Sequence, residues 1–116
     1  MKSSTSQFKW RRVTCKGDDF VEVSLRFEKG DVGFKFVSEV ECIELPDERY
    51  VPYIKEAIAE AFELAEIDKN GYIVTLEKAK DVRGEASPYG FQQCAIGAVV
   101  LFFGREDLCP NPGLVN

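Results

Sequence analysis

Apolar and polar residues alternate over residues 20–28, where the apolar positions on one side are Val21, Val23, Leu25 and Phe27. Alternation with a period of two predicts a β-strand that has one face on the core and the other in water. A second alternating stretch, 34–40, follows after a short glycine-containing turn, so the two strands are expected to pair as an antiparallel hairpin. Further upstream, Phe8–Val13 is amphipathic, and its pattern fits either a short strand or an arm.

The hydrophobic period changes after Pro46. Apolar residues then recur mostly three or four positions apart, which predicts an amphipathic helix; they are Val51, Ile54, Ile58, Ala61, Phe62 and Ala65. The turn residues Asp68–Gly71 end this helix, because glycine or asparagine readily takes the left-handed conformation there. The β-branched, apolar stretch Tyr72–Leu76 predicts a further strand that extends to about residue 82.

A second helix is predicted to begin at Ser87, since serine is a good N-cap and Pro88 suits the first helical position. Apolar residues follow at helical spacing, namely Phe91, Cys94, Ala95, Ala98, Val99 and Phe102. The apolar end at 99–103 also fits a buried strand. The cap, the length of the segment and its small residues around Gly97 favour a helix that packs closely on a sheet.

The predicted fold is α+β, a two-layer sandwich with an approximately four-stranded sheet and two helices on one face. The predicted element order is β-β-α-β-α. Residues 1–19 are interpreted as an N-terminal leader and basic arm, residues 20–104 as the domain, and residues 105–116 as a C-terminal tail.

Composition narrows the classes of partner. The chain has 116 residues, 45% of them hydrophobic, and a formal net charge of −5. An acidic protein repels phosphate, so binding to bare nucleic acid is not expected. No apolar stretch of signal-peptide type follows the polar start, and the longest apolar run, 94–103, is too short for a bilayer span. No membrane partner is therefore expected, and the predicted location is cytoplasmic.

Residue types that carry chemistry are scarce. The chain contains no histidine, and its four cysteines (Cys15, Cys42, Cys94 and Cys109) are widely spaced. A zinc site usually needs closely paired ligands, and a Cys–His or Ser–His nucleophile needs the missing histidine. The carboxylates fall in turns and on a polar helix face, where solvation explains them. We predict no catalytic residue, no metal ligand and no cofactor.

Several segments, read together and in order, resemble the fourth domain of translation elongation factor G. They are the alternating strand 20–28, the glycine-aromatic-x-aromatic start of 33–37, and the helix opening Tyr50-Val51-Pro52 with Ile54. Gly71-Tyr72 and the serine-capped helix after Ser87 match the later elements, whereas one extra residue separates Pro46 from the helix opening. The resemblance covers roughly residues 20–103 and implies a ribosomal protein S5 domain 2-like fold.

The departures from that family affect function. In the elongation factor, the tip loops of this domain enter the ribosomal decoding centre; one is glycine-rich and basic, and another carries a histidine. Here residues 15–19 read Cys-Lys-Gly-Asp-Asp, residues 83–86 form a short segment, and no histidine is present. The GTPase motif GxxxxGK[ST] is also absent, so the resemblance implies the scaffold and not translocation.

Basic residues interleaved with an aromatic residue suggest where a partner could bind. The candidate partner-binding residues are Trp10, Arg11, Arg12, Lys16, Arg83 and Tyr89. Arg83 corresponds to a tip loop of the family, and Tyr89 begins the last helix. The alternative is a strand in which Trp10 packs inward while the arginines stay solvated.

The sequence therefore predicts a non-catalytic binding module with a protein partner, which could be a ribosomal component or a translation factor. A homodimer through an exposed sheet edge is a further option. Two alternatives stay open: a small enzyme of the same superfamily fold, and a toxin-neutralising protein of the immunity type.

Overall fold

The computed structural model of the chain describes residues 3–14, 17–31, 33–39, 50–82 and 87–110. These residues form four strands, two α-helices and a short 3₁₀ helix at Glu106–Leu108. The strands and helices are β1 (Ser3–Thr14), β2 (Gly17–Lys29), β3 (Lys35–Ser38), α1 (Tyr50–Leu64), β4 (Tyr72–Asp81) and α2 (Pro88–Phe102). The predicted α+β, two-layer class is confirmed, and the order gains one strand to become β-β-β-α-β-α.

The added strand is β1, which lies within the segment interpreted as a leader and basic arm. It pairs along its whole length with β2, from Ser3 opposite Glu28 to Thr14 opposite Gly17. The N-terminal half of β1 is polar, which hides its strand character, yet Ser6 is buried and donates a hydrogen bond to the Ala98 carbonyl at 2.7 Å. The hydrogen bond to α2 explains why this polar residue is buried, which the local sequence pattern does not predict.

The sheet has the strand order β1-β2-β4-β3. β1 and β4 are antiparallel to β2, whereas β3 runs parallel to β4. The predicted antiparallel hairpin between the first two alternating stretches is therefore wrong, because β4 lies between β2 and β3 in the sheet. A parallel pair needs a crossover connection, and α1 lies in the chain between β3 and β4. The register shifts between Ser24 and Leu25, because one extra β4 residue is accommodated opposite that step.

The core lies between the two helices and one face of the sheet. The alternating apolar residues of β2 are all buried, as the period-two pattern predicts. Phe8 approaches α2 so closely that a Cβ added at Gly97 would meet its ring. The small residues of α2 therefore allow the helix to pack tightly against β1, which confirms the helical interpretation of that segment.

The two ends of the sandwich are distinct. We call one the tip end: there Thr14 pairs with Gly17, β4 finishes, and the ring of Tyr50 at the start of α1 contacts Phe91 in α2. We call the other the closed end: there β4 begins, and Phe62 near the end of α1 packs against Phe27. Of the helices described, neither is long and apolar enough to cross a membrane.

Candidate functional site at the tip end

The tip end brings together three of the candidate residues, through the geometry of strand and helix. Trp10 and Arg12 are two positions apart on β1, so their side chains point to the same face of the sheet. That face carries α2, whose first turn contributes Tyr89. The register places Arg12 opposite Asp19 on β2. We call these four residues, with Ser87, the tip cluster.

The cationic side chain of Arg12 lies against two aromatic rings. Its guanidinium carbon is 4.8 Å from the centre of the Tyr89 ring and 5.5 Å from that of Trp10. The two rings meet edge to face, with centroids 5.9 Å apart and planes at 76°. Such cation–π and edge-to-face contacts are favourable, and they fix the arginine between the two rings.

A buried carboxylate, Asp19, ties the strands to the start of α2. It accepts hydrogen bonds from the Ser87 hydroxyl at 2.8 Å and from the Ser87 backbone N–H at 3.2 Å. Ser87 in turn caps α2, since its hydroxyl oxygen accepts from the Gly90 N–H at 3.2 Å. A Cβ at Gly90 would collide with the Asp19 carboxylate, so glycine is required for this close approach.

Arg12 also forms an ion pair with Asp19, but a long one. The distance from Arg12 Nη2 to Asp19 Oδ2 is 3.4 Å, and the Arg12 side chain remains 40% exposed. The shorter contacts of Asp19 go to Ser87. The carboxylate therefore holds the capped helix start more closely than it holds the guanidinium.

Two N–H donors in the cluster lack an acceptor. Within the described part of the chain, Trp10 Nε1 and Arg12 Nε are the buried side-chain polar atoms that have no hydrogen-bond partner. Trp10 as a whole is only 1% exposed. Buried polar groups without partners are rare in folded proteins, so both donors require an explanation.

Exposed apolar side chains also concentrate at this end. Among the described residues, the large apolar side chains that are exposed are Tyr53, Leu64, Val82 and Tyr89. Three of them lie at the tip end, on the first turns of the two helices and just after β4, whereas Leu64 lies at the closed end. Tyrosine and arginine are also the residue types enriched at the energetic centres of protein interfaces.

The other candidate residues fall elsewhere. Arg11 is the neighbour of Arg12 on β1 and therefore points to the opposite face of the sheet, where it lies over the ring of Phe20 at 5.4 Å. Lys16 and Arg83 lie outside the described residues. Trp10 packs inward, as the alternative interpretation of the strand requires, but Arg12 does not simply extend into solvent.

Sequence reasoning missed the residues that hold the cluster together. The turn composition around Asp19 indicates a solvated carboxylate, although the residue is 5% exposed and bonded to the helix cap. The register of β1 with β2 sets Asp19 opposite Arg12, and the sequence did not predict this pairing. Tyr53 and Val82 carried no local signal, because exposure at a helix start or strand end depends on tertiary packing.

We call the face of the sheet opposite the helices the open face. Its charged side chains pair with one another. Lys78 Nζ is 2.8 Å from Glu22 Oε1, and the Gln7 amide also donates to that carboxylate. The hydrogen bond from Lys78 lowers the pKa of Glu22, against the desolvation that raises it. Arg26 pairs with three carboxylates, those of Glu28, Glu39 and Glu77. These charges are compensated within the sheet, so they provide little attraction for a charged partner.

The two cysteines among the described residues, Cys94 and Cys109, are both partly or fully buried. Burial raises the pKa of the Cys94 thiol, which donates to the Phe8 carbonyl at 3.0 Å and so stays protonated. Burial likewise raises the pKa of Cys109. Across residues 3–14, 17–31, 33–39, 50–82 and 87–110, no group of three potential ligands is placed to hold a metal ion.

Comparison with known proteins identifies a fold and no family. No protein-family model matches the chain, and no curated protein matches it. A crystal structure of a protein from Thermus thermophilus is similar to it, with a TM-score of 0.68 and 24% sequence identity. The match covers 85% of this chain and 15% of the Thermus chain. The likeness establishes a shared fold, which in the Thermus protein forms one part of a much longer chain.

Proposed function

We propose that this chain is a non-catalytic binding module on an elongation factor G domain IV-like scaffold, and that its tip end contacts a ribosomal or translation-factor partner. The proposal is supported by the segments of residues 20–103 that resemble that domain in the same order. A two-layer α+β sandwich with helices on one face is compatible with the resemblance. Ribosomes and translation factors occur in the cytoplasm, so the proposal also implies a cytoplasmic location.

The observation that carries the proposal is the surface at the tip end. Three of the four exposed large apolar side chains in the described part of the chain lie there, together with the partly exposed guanidinium of Arg12. A surface that combines tyrosines with an arginine is typical of an interface centre. Among the residues that the structure describes, Leu64 is the single exposed side chain of this class at the closed end.

The charge of the chain favours a protein component over bare RNA. A net charge of −5 opposes a polyanion at long range, and much of the affinity for nucleic acid comes from phosphate contacts. The arginines of the open face are also already paired with carboxylates or rings. A protein partner avoids the repulsion between this acidic chain and phosphate groups, and it can pack against the exposed apolar side chains of the tip end.

Co-sedimentation of the purified chain with ribosomes, over a series of salt concentrations, tests the proposal. We expect pelleting that survives moderate salt, because apolar contacts are screened less than charge contacts. Tyr89→Ala is expected to weaken pelleting about tenfold, because tyrosine is enriched among the few interface residues whose truncation costs more than about 1 kcal/mol.

Leu64→Ala is the matched control, because Leu64 and Tyr89 are both 47% exposed but lie at opposite ends. Equal losses in the two variants would argue against the tip end as the contact surface. A chain that stays in the supernatant at the lowest salt would reject the ribosomal partner altogether.

A further inference from the structure

The two donors without acceptors in the tip cluster suggest that a group is missing from the site. Trp10 Nε1 and Arg12 Nε are both buried, and neither has an acceptor among the described residues. They belong to neighbouring side chains on one face of β1, since Arg12 lies over the Trp10 ring. A carboxylate has two oxygen atoms that accept hydrogen bonds, so one such group supplies an acceptor for each donor.

Arg12 keeps capacity for such a group. Its contact with Asp19 is 3.4 Å long, whereas Asp19 receives the Ser87 hydroxyl at 2.8 Å. The donors of Ser87 thus bind Asp19 more closely than Arg12 does. A guanidinium has five N–H donors in a planar fork, and the fork matches the geometry of a carboxylate.

Tyr89 lies against both side chains that carry these donors. Its ring lies 4.8 Å from the Arg12 guanidinium and 5.9 Å from the Trp10 ring, yet the side chain is 47% exposed. It belongs to the first turn of α2 and is not part of the buried core. Rotation of the ring would break these two contacts but would not disturb the core, and it would let an acceptor approach the Arg12 and Trp10 side chains.

We propose that Trp10, Arg12 and Tyr89 form a recognition site for one carboxylate side chain of a protein segment that also carries apolar residues. This inference rests on the proposed function as a protein-binding module and names the chemistry of the partner. A single carboxylate avoids the repulsion that the net charge of −5 imposes on a polyphosphate chain. The exposed side chains of Val82 and Tyr89 suit the apolar residues that flank it.

The sole tryptophan of the chain provides a direct test. Its indole N–H gives one resonance in a ¹⁵N-labelled sample, and a new hydrogen bond shifts that resonance. The probe is the peptide acetyl-Leu-Asp-Glu-Leu-amide, and its control is the isosteric acetyl-Leu-Asn-Gln-Leu-amide. We expect a saturable shift with the acidic peptide and a much smaller one with the amide peptide.

Two variants separate a specific site from general attraction. Arg12→Lys keeps the positive charge but removes Nε, and we expect it to weaken the acidic peptide about tenfold. Arg105→Lys is the matched control, because Arg105 is likewise 40% exposed and paired with an aspartate, but lies beyond the end of α2. Thermal unfolding of both variants checks that they fold like the original chain.

The outcomes are distinct. A response to the acidic peptide that Arg12→Lys removes and Arg105→Lys retains supports the site. An equal response to both peptides, an equal loss in both variants, or a shift caused only by a short oligouridylate overturns it. Ribosome pelleting that survives alongside a silent indole resonance rejects this site while leaving the proposed function intact. If the indole resonance responds to the acidic peptide but the chain does not pellet with ribosomes, the site is supported and the ribosomal partner is rejected.

Discussion

The two ends of the sandwich are both rich in aromatic side chains, but they differ in whether buried polar atoms have hydrogen-bond partners. At the closed end, Phe27 stacks on Phe102 with centroids 3.9 Å apart and planes at 10°, and Phe62 packs beside them. At the tip end, Trp10 and Tyr89 enclose the guanidinium of Arg12. The described polar side chains that are buried without a partner belong to the tip end alone.

Cation–π contacts do not distinguish the two ends. Lys29 lies over the Tyr72 ring at 4.2 Å and Lys69 over the Phe34 ring at 5.5 Å, both at the closed end. In both pairs the ammonium nitrogen of the lysine lies over the aromatic ring. The tip end differs because, among the described residues, it buries donor atoms that have no acceptor. Such donors reduce the stability of the fold unless a ligand accepts hydrogen bonds from them.

The largest effect that this comparison predicts is at the closed end. Phe62→Ala removes a ring that is 1% exposed and contacts Phe27, Phe34, Tyr72 and Phe103. Truncation of a buried phenylalanine leaves a cavity, and the expected loss is about 3–5 kcal/mol in the free energy of unfolding. Urea unfolding followed by circular dichroism measures it.

Tyr89→Ala is the counterpart at the tip end. Because the side chain is 47% exposed, the free energy of unfolding is expected to change by no more than about 1 kcal/mol. A loss comparable to that of Phe62→Ala would mean that the tip cluster is a structural core like the closed end, and the functional interpretation of the tip would fail.

The sequence predicted most of the scaffold, because its elements carry local signals. The alternation of β2 and the helical spacing of α1 and α2 follow from one-sided burial, which the pattern records directly. β1 was predicted less well, since Ser6 is buried through a hydrogen bond to the distant Ala98 carbonyl. A polar residue that is satisfied by tertiary structure looks like a solvated one in the sequence.

The candidate site was predicted in part for the same reason. Trp10, Arg12 and Tyr89 could be selected by residue type and by position in the chain. Their assembly depends on Asp19, which joins β2 to the cap of α2 across 68 residues. The separation of Arg11 from Arg12 was available from the sequence, because adjacent strand residues face opposite sides of a sheet.

An intermediate effect is predicted for Asp19→Asn. The amide keeps the size of the side chain, but it removes the charge from a group that accepts from Ser87 and faces Arg12. We expect a loss of about 1–3 kcal/mol in the free energy of unfolding, because the partners of a buried charged acceptor are left poorly satisfied. Chemical unfolding again provides the measurement.

Asp107→Asn is the control for that variant. Its carboxylate pairs with Arg105 at 3.2 Å, a shorter distance than the one between Arg12 and Asp19, but it is 64% exposed. Exposed pairs contribute little, so we expect a much smaller change than for Asp19→Asn. Equal changes in the two variants would show that the burial of Asp19 does not determine how much its charge contributes to the free energy of unfolding.

The smallest effect concerns Glu22, a buried carboxylate of the open face whose partners are in place. Lys78 lowers its pKa in the folded state below the ordinary value of 4.5. A depressed pKa contributes stability that is fully present above about pH 4.5 and is lost as the pH falls through the folded-state value. Glu22→Gln is therefore expected to flatten the acid side of the stability profile and to cost about 1 kcal/mol or less at neutral pH.

Urea midpoints measured between about pH 2 and pH 7 test this expectation, with Glu60→Gln as the control, because Glu60 is exposed on α1 and has no ion pair among the described residues. If Glu22→Gln leaves the fall of the urea midpoint at low pH unchanged, the contact with Lys78 does not contribute to the pH dependence of stability. A small, pH-dependent cost at Glu22 beside a larger cost at Asp19 would sharpen the comparison. It would indicate that partnered charges on the sheet only tune stability, whereas the tip cluster holds its helix start through one buried carboxylate.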